Sequence, residues 1–133
     1  MLLRACRSAR DKQLFIDGPG GEGLMDGMRS TLFDLEQTIR QRRKADPSQS
    51  YVAKLTARGR GKIAQKVGEE AVETVIAAMA SDREGVIGES SDLLFHLMVL
   101  LADLDIPLDA VLDELDRREG VSGIAEKAAR PKD

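Results

Sequence analysis

The sequence predicts an all-α fold. Three observations lead there: no segment alternates apolar and polar residues with period two for long enough to make a strand, apolar residues recur every three to four positions over long stretches, and the composition favours helices. Ala, Leu, Glu, Arg and Val abound, while aromatic residues make up 3% of the chain and Trp is absent, so the packing must rest on aliphatic side chains.

The elements follow in order. Residues 1–28 are expected to form a flexible extension, because Gly18, Gly20, Gly21, Gly23 and Gly27 crowd around Pro19 and no periodicity persists. The GPGGEG string there lacks the Lys-Ser/Thr that completes a phosphate-binding loop. Met25 or Met28 offers an alternative start. The first helix should open with Ser30 or Thr31 as cap and carry Leu32, Phe33, Leu35 and Ile39 on its apolar side. It runs into Arg40, Arg42, Arg43 and Lys44, whose charges complement the C-terminal end of the helix dipole. Pro47 breaks the pattern, Ser48 to Ser50 supply turn chemistry and a new cap, and a short helix follows from Tyr51 to about Arg58. Gly59 and Gly61 interrupt it.

A long helix is expected from about Lys62 to Ala80, with Ile63, Val67, Val75, Ile76 and Met79 as its apolar positions. Ser81 and Asp82 end it and cap the next, from about Arg83 to Leu104, which is apolar on nearly every side between Leu93 and Leu101. Pro107 begins a last helix that runs to about Arg118 before Gly120 closes it. Residues 120–133 read as a polar tail that frays. Two long and two or three shorter helices are too few to cover Leu93 to Leu101 on all sides, so the bundle is expected to be completed by homodimerisation across a two-fold axis.

The 133 residues suit one domain, placed at residues 29–119. With 20 basic and 23 acidic residues the chain lacks the basic excess of a nucleic-acid binder. Its one cysteine, Cys6, rules out a disulfide framework or a cysteine-rich zinc site and suits a reducing cytoplasm. No run approaches the roughly 18 uninterrupted apolar residues of a membrane helix. Arg4, Arg7 and Arg10 faintly suggest targeting, but the apolar block of a secretory signal is missing.

The chemistry lies in the acids of the two long helices. At about 100° per residue, Lys62, Lys66, Glu69, Glu70 and Glu73 share one face of the first. Glu69 and Glu73 are one turn apart, as are Glu70 and Glu73, so the three carboxylates converge. On the second, Glu89 and Asp92 are one turn apart, and His96 and Asp103 continue the strip. Antiparallel packing of the two helices sets acids against acids, which is costly in a low dielectric unless a cation sits among them. A hard divalent ion with oxygen ligands resolves the conflict, and Mg²⁺ suits a few carboxylates together with substrate phosphates. A solvated helix face remains the other reading for Lys62, Lys66 and Glu70. It is less suited to Glu89 and Asp92, which lie on a helix with no spare water-facing side. His96 is either a core histidine satisfied by one hydrogen bond or a group that steadies a metal ligand or touches phosphate. Asp103 is expected to be a solvent contact at a helix end.

Three stretches carry a resemblance. Glu69-Glu70-x-x-Glu73 followed by Glu89-x-x-Asp92 resembles the metal signature of the all-α nucleoside triphosphate pyrophosphohydrolases, the MazG-like group that includes dimeric dUTPases. Ser50-Tyr51-Val52-Ala53-Lys54-Leu55, the run from Lys62 to Glu73 and Asp92-Leu93-Leu94-Phe95-His96-Leu97 resemble more specifically the phosphoribosyl-ATP pyrophosphohydrolase family of histidine biosynthesis. The resemblance covers about residues 30 to 118 and implies a MazG-like helical bundle, a homodimer or higher homo-oligomer, and Mg²⁺. It also implies hydrolysis of phosphoribosyl-ATP between its α and β phosphates. Carried over by position, it implies that Glu69, Glu70, Glu73, Glu89 and Asp92 hold the metal and that one of Glu69, Glu70 and Glu73 orients the attacking water. Lys54, Arg58, Lys62 and Lys66 would meet the phosphates, and His96 would stand behind the ligands. Arg58, Arg60 and Lys62, beside Gly59 and Gly61, are placed to close over the phosphates. Residues 1–28 have no counterpart in that family, and nothing resembles the zinc-dependent cyclohydrolase sometimes fused to it, so one activity is expected.

Two alternatives stay open. A hydrolase of surplus nucleotides would share the metal chemistry and differ in its base pocket, whereas a non-catalytic helical dimer would use these charges for solubility alone.

Overall fold

A computed structural model describes residues 27–119 and 123–131. Among them the chain forms α1 (Gly27–Arg42), α2 (Tyr51–Ala57), α3 (Arg60–Met79), α4 (Arg83–Asp103), α5 (Leu108–Arg118) and α6 (Gly123–Ala129), with no strand. The expected all-α class is what is observed. The glycine-rich string and Cys6 lie outside the described residues.

The boundaries follow local chemistry closely. Ser50 caps α2, its side chain accepting from the Ala53 amide, and Asp82 caps α4 by accepting from the Gly85 amide. Gly59 precedes α3 with φ of 89°, a conformation that costs other residues a steric clash, and so makes the break alone. Gly61, expected to share that role, lies inside the first turn of α3, because one left-handed residue is enough to redirect the chain. α1 begins at Gly27, a few positions before the expected caps Ser30 and Thr31. The tail expected to fray contains α6, whose Ile124 is exposed.

Pro107 stands at the cap position of α5 and has no side chain to satisfy the first amides. That task falls to Glu36 of α1, whose carboxylate accepts from the Leu108 amide at 2.9 Å and pairs with Arg40 at 3.3 Å. Glu36→Ala should therefore lower the stability by about 1 kcal/mol, and Glu36→Gln, which keeps an acceptor, by less. Thermal melts of the two variants test the order, and equal melting temperatures would sink the assignment.

α3 and α4 form a helical hairpin joined by Ala80 to Asp82, the most extensive pairing among the described residues. The core lies at one end of this hairpin. There Ile39 of α1, Val52 and Leu55 of α2, and Ile63 of α3 meet Phe95, Met98 and Val99 of α4, with Leu108 of α5. Ile39, Ile63 and Val99 are fully enclosed, each contributing roughly 1.5–3 kcal/mol by burial. By length and composition α4 would also pass as a membrane-crossing helix; Phe95, Met98, Val99 and Ala102 of it enter this core, while Ile87, Leu94 and Leu97 are exposed.

The other end of the hairpin is left uncovered by the described residues. Val72, Val75, Ile76 and Met79 form a stripe on α3 at one-turn spacing, and Ile76 is 61% and Met79 81% exposed. Of the expected apolar positions, Ile63 is therefore core, whereas Val75, Ile76 and Met79 face outward, since α1, α2 and α5 reach only the opposite half of the hairpin.

Candidate active site

The middle of the α3–α4 hairpin holds the acids. Glu70 and Glu73, one turn apart on α3, face Glu89 on α4, and one oxygen from each can lie within 4.8 Å of the others. Glu70 is 3% exposed, while Glu73 and Glu89 are half-buried. Three carboxylates that close, shielded from solvent, repel one another strongly enough to require positive charge.

Part of that charge is built in. The Lys66 ammonium lies 3.0 Å from Glu70 Oε1 and 3.1 Å from Glu69 Oε2. Burial works against its charge, but hydrogen bonds to Glu70 and then Glu69 outweigh burial and hold its pKa above the ordinary lysine range. Glu69 is turned along its own helix, where hydrogen bonds from Lys66 and then Gln65 hold its carboxyl below the usual value. Glu69 thus sits on Lys66, and the three-carboxylate group comprises Glu70, Glu73 and Glu89. Asp92, also half-buried, lies one turn beyond Glu89, and its backbone carbonyl accepts from His96 Nδ1 at 2.7 Å.

His96 is buried beside this cluster, with Nδ1 4.0 Å from Glu70 Oε1. Its Nε2 is 3.0 Å from the hydroxyl of Tyr51, the first residue of α2. Burial pushes the imidazole pKa down, more than the Asp92 carbonyl and the Glu70 charge raise it, so the ring is neutral near pH 7. The Tyr51 contact is absent from the sequence reading of the site. Its only trace in the sequence is a lone tyrosine one position after a helix cap, which does not point to a histidine 45 residues away.

The basic residues divide. Lys66 is part of the acidic cluster, Lys62 lies one turn back and donates to Gln65 at 3.2 Å, and Lys54 and Arg58 project into solvent from α2 and its end. Arg60, expected to close over phosphates, instead donates to Asp103 at 2.7 Å. Asp103 also lies 3.9 Å from Arg43, which donates to the Ala102 carbonyl. The expectation that Asp103 is a solvent contact is therefore corrected: its side chain is largely shielded and ties the start of α3 and the end of α1 to the end of α4, because the hairpin brings these helix ends together.

Three buried or half-buried carboxylates with nearby ammonium groups form an oxygen-rich donor set that fits a hard divalent cation and offers positive groups to phosphate oxygens. The family model described as phosphoribosyl-ATP pyrophosphohydrolase matches residues 32–119. A protein of Rhizorhabdus wittichii named phosphoribosyl-ATP pyrophosphatase is 71% identical over 105 residues, covering 79% of this chain and 99% of that protein. Relatives of the same name are 67% identical in Novosphingobium aromaticivorans, over 72% of this chain and 90% of the relative, and 61% identical in Zymomonas mobilis, over 77% and 95%.

Proposed function

The chain belongs to the phosphoribosyl-ATP pyrophosphohydrolase family and is a hydrolase of that type, and from this premise we propose that it hydrolyses phosphoribosyl-ATP to phosphoribosyl-AMP and pyrophosphate with Mg²⁺ as cofactor. The observation that carries the reading is the convergence of Glu70, Glu73 and Glu89 beside Lys66 within the matched region.

In this reading Glu70, Glu73 and Glu89 hold the metal, with Asp92 and Glu69 at its margins. When bound, Mg²⁺ supplies charge neutralisation for the phosphate oxygens and a place to order water. The rest falls to the chain. Water is added across the α–β anhydride, and the bridging oxygen leaves with pyrophosphate. Lys66, already fixed between Glu69 and Glu70, faces the charge that develops there, while Lys62, Lys54 and Arg58 meet the outer phosphates. A carboxylate of the cluster accepts the proton of the attacking water.

The same proposal includes a homodimer or larger homo-oligomer in the cytoplasm. The exposed stripe Val72, Val75, Ile76 and Met79 on α3 supports it, as do the exposed Ile87, Leu94 and Leu97 on α4, since large apolar side chains left open in this number suit a partner surface better than water.

Pyrophosphate release should be measured side by side on phosphoribosyl-ATP, dUTP and dCTP, with Mg²⁺ and with excess chelator. The expected result is release from phosphoribosyl-ATP that the chelator abolishes. Preference for a free nucleotide would replace this reading with a general nucleotide hydrolase, and no release from any substrate would favour a non-catalytic module.

A further inference from the structure

Tyr51 is the only tyrosine of the chain and His96 the only histidine, and they meet next to the carboxylates. The contact is built from several sides. The Tyr51 ring stacks on Phe95 with centroids 6.2 Å apart and meets the His96 ring edge-on at 5.9 Å. Its backbone is held by the capped first turn of α2, whose next two residues, Val52 and Ala53, are buried.

The hydrogen bonds have one consistent direction. The Asp92 carbonyl can only accept, so the His96 Nδ1 bonded to it carries the proton. With the proton on Nδ1, Nε2 is the nitrogen left to face the Tyr51 hydroxyl at 3.0 Å, and the hydroxyl donates to its lone pair. The resulting line runs from Tyr51 O–H through the imidazole to the backbone of α4 at Asp92. It holds the ring in one tautomer and one orientation, with Nδ1 4.0 Å from Glu70 Oε1.

We propose that Tyr51 is a positioning residue for this reaction, acting through His96 to fix the imidazole wall against which Glu70 is set. The inference rests on the metal-dependent hydrolase reading above. Without the hydroxyl, Nε2 is a buried acceptor lacking its donor, and of the two ring hydrogen bonds the one to the Asp92 carbonyl is left. A ring tethered at Nδ1 alone can tilt about that bond, and it loosens from its place beside Glu70. A group that orients a ligand in this way commonly governs about 10-fold to 100-fold of activity.

The test is Tyr51→Phe, which keeps the ring packing and removes one oxygen. With a single histidine, ¹⁵N–¹H correlation of the imidazole reports one ring without assignment. The wild-type protein should show a protonated Nδ1 and an unprotonated Nε2 accepting a hydrogen bond. Tyr51→Phe should keep the proton on Nδ1, move the Nε2 resonance to that of an unprotonated nitrogen without a hydrogen bond, and lower kcat at least about 10-fold, with KM for phosphoribosyl-ATP changed by less than about 2-fold. A protonated Nε2 in the wild-type protein overturns the proposal, as does a Tyr51→Phe imidazole spectrum identical to wild type. So does a changed spectrum with unchanged kcat. If the wild-type protein releases no pyrophosphate, the hydrolase reading fails by itself, while the tautomer measurement still decides whether Tyr51 orients His96.

Discussion

Glu70→Gln is expected to lower kcat for pyrophosphate release by about 10³-fold, equivalent to about 4 kcal/mol of transition-state stabilisation. Glu70 has the most enclosed of the three converging carboxylates, and its charge serves both Lys66 and the proposed cation. The amide keeps the size of the side chain and removes the charge, so the folded state should persist while Mg²⁺ binding weakens. Glu69→Gln is the informative contrast. Its carboxylate lies against Gln65 and Lys66, outside the three-carboxylate group, and the loss expected there is only about 10-fold or less. Steady-state kinetics together with a direct Mn²⁺ or Mg²⁺ titration of both variants measures the difference. If the two neutral variants lose activity equally, or if Glu70→Gln binds the ion as tightly as wild type, the carboxylate cluster is not the metal site.

Ile76→Asp should convert the proposed oligomer into monomers. Ile76 is the middle of the uncovered α3 stripe, flanked by Val72 and Val75 on one side and Met79 on the other. Setting a carboxylate in the middle of such an interface leaves a buried charge without a partner, which costs about 3 kcal/mol or more and raises the dissociation constant at least about 100-fold. Light scattering coupled to size exclusion reads the outcome directly. Ile124→Asp on α6 is the control: that residue is 84% exposed on a separate short helix, so the mass of this variant should not change. A wild-type chain that runs as a monomer at all accessible concentrations would remove the oligomer from the proposal.

The helices were legible because their signals are local. Ser50 and Asp82 announce their caps, and the α3 and α4 patterns repeat over several turns each. The candidate site was legible as a set of residue types, since acids one turn apart on two successive helices have few places to go but toward each other. Which members of the set converge was not. Glu69 and Glu70 are adjacent, and no property of either residue says which one faces α4. The α3 rotation angle about its axis decides it, and that angle is set by Ile63 entering the core two turns earlier. Likewise, Arg60 beside two glycines had the look of a phosphate clamp, and a partner 43 residues away drew it to Asp103.

By itself, then, the chain's order of residues determined the helical class, most of the breaks between elements, the presence of an acid-rich hairpin and, through its likeness to known proteins, the family. These depend on neighbours within about one turn or on whole-pattern similarity, both of which a linear string retains. Tertiary structure alone decided the cap that Glu36 supplies to α5, the Arg60–Asp103–Arg43 tie, the Tyr51–His96 contact and the separation of Glu69 from the three gathered carboxylates. Each of these joins groups on different elements or hinges on how one helix turns against another, and hydrogen bonds acting over about 3 Å are set by packing rather than by spacing along the chain.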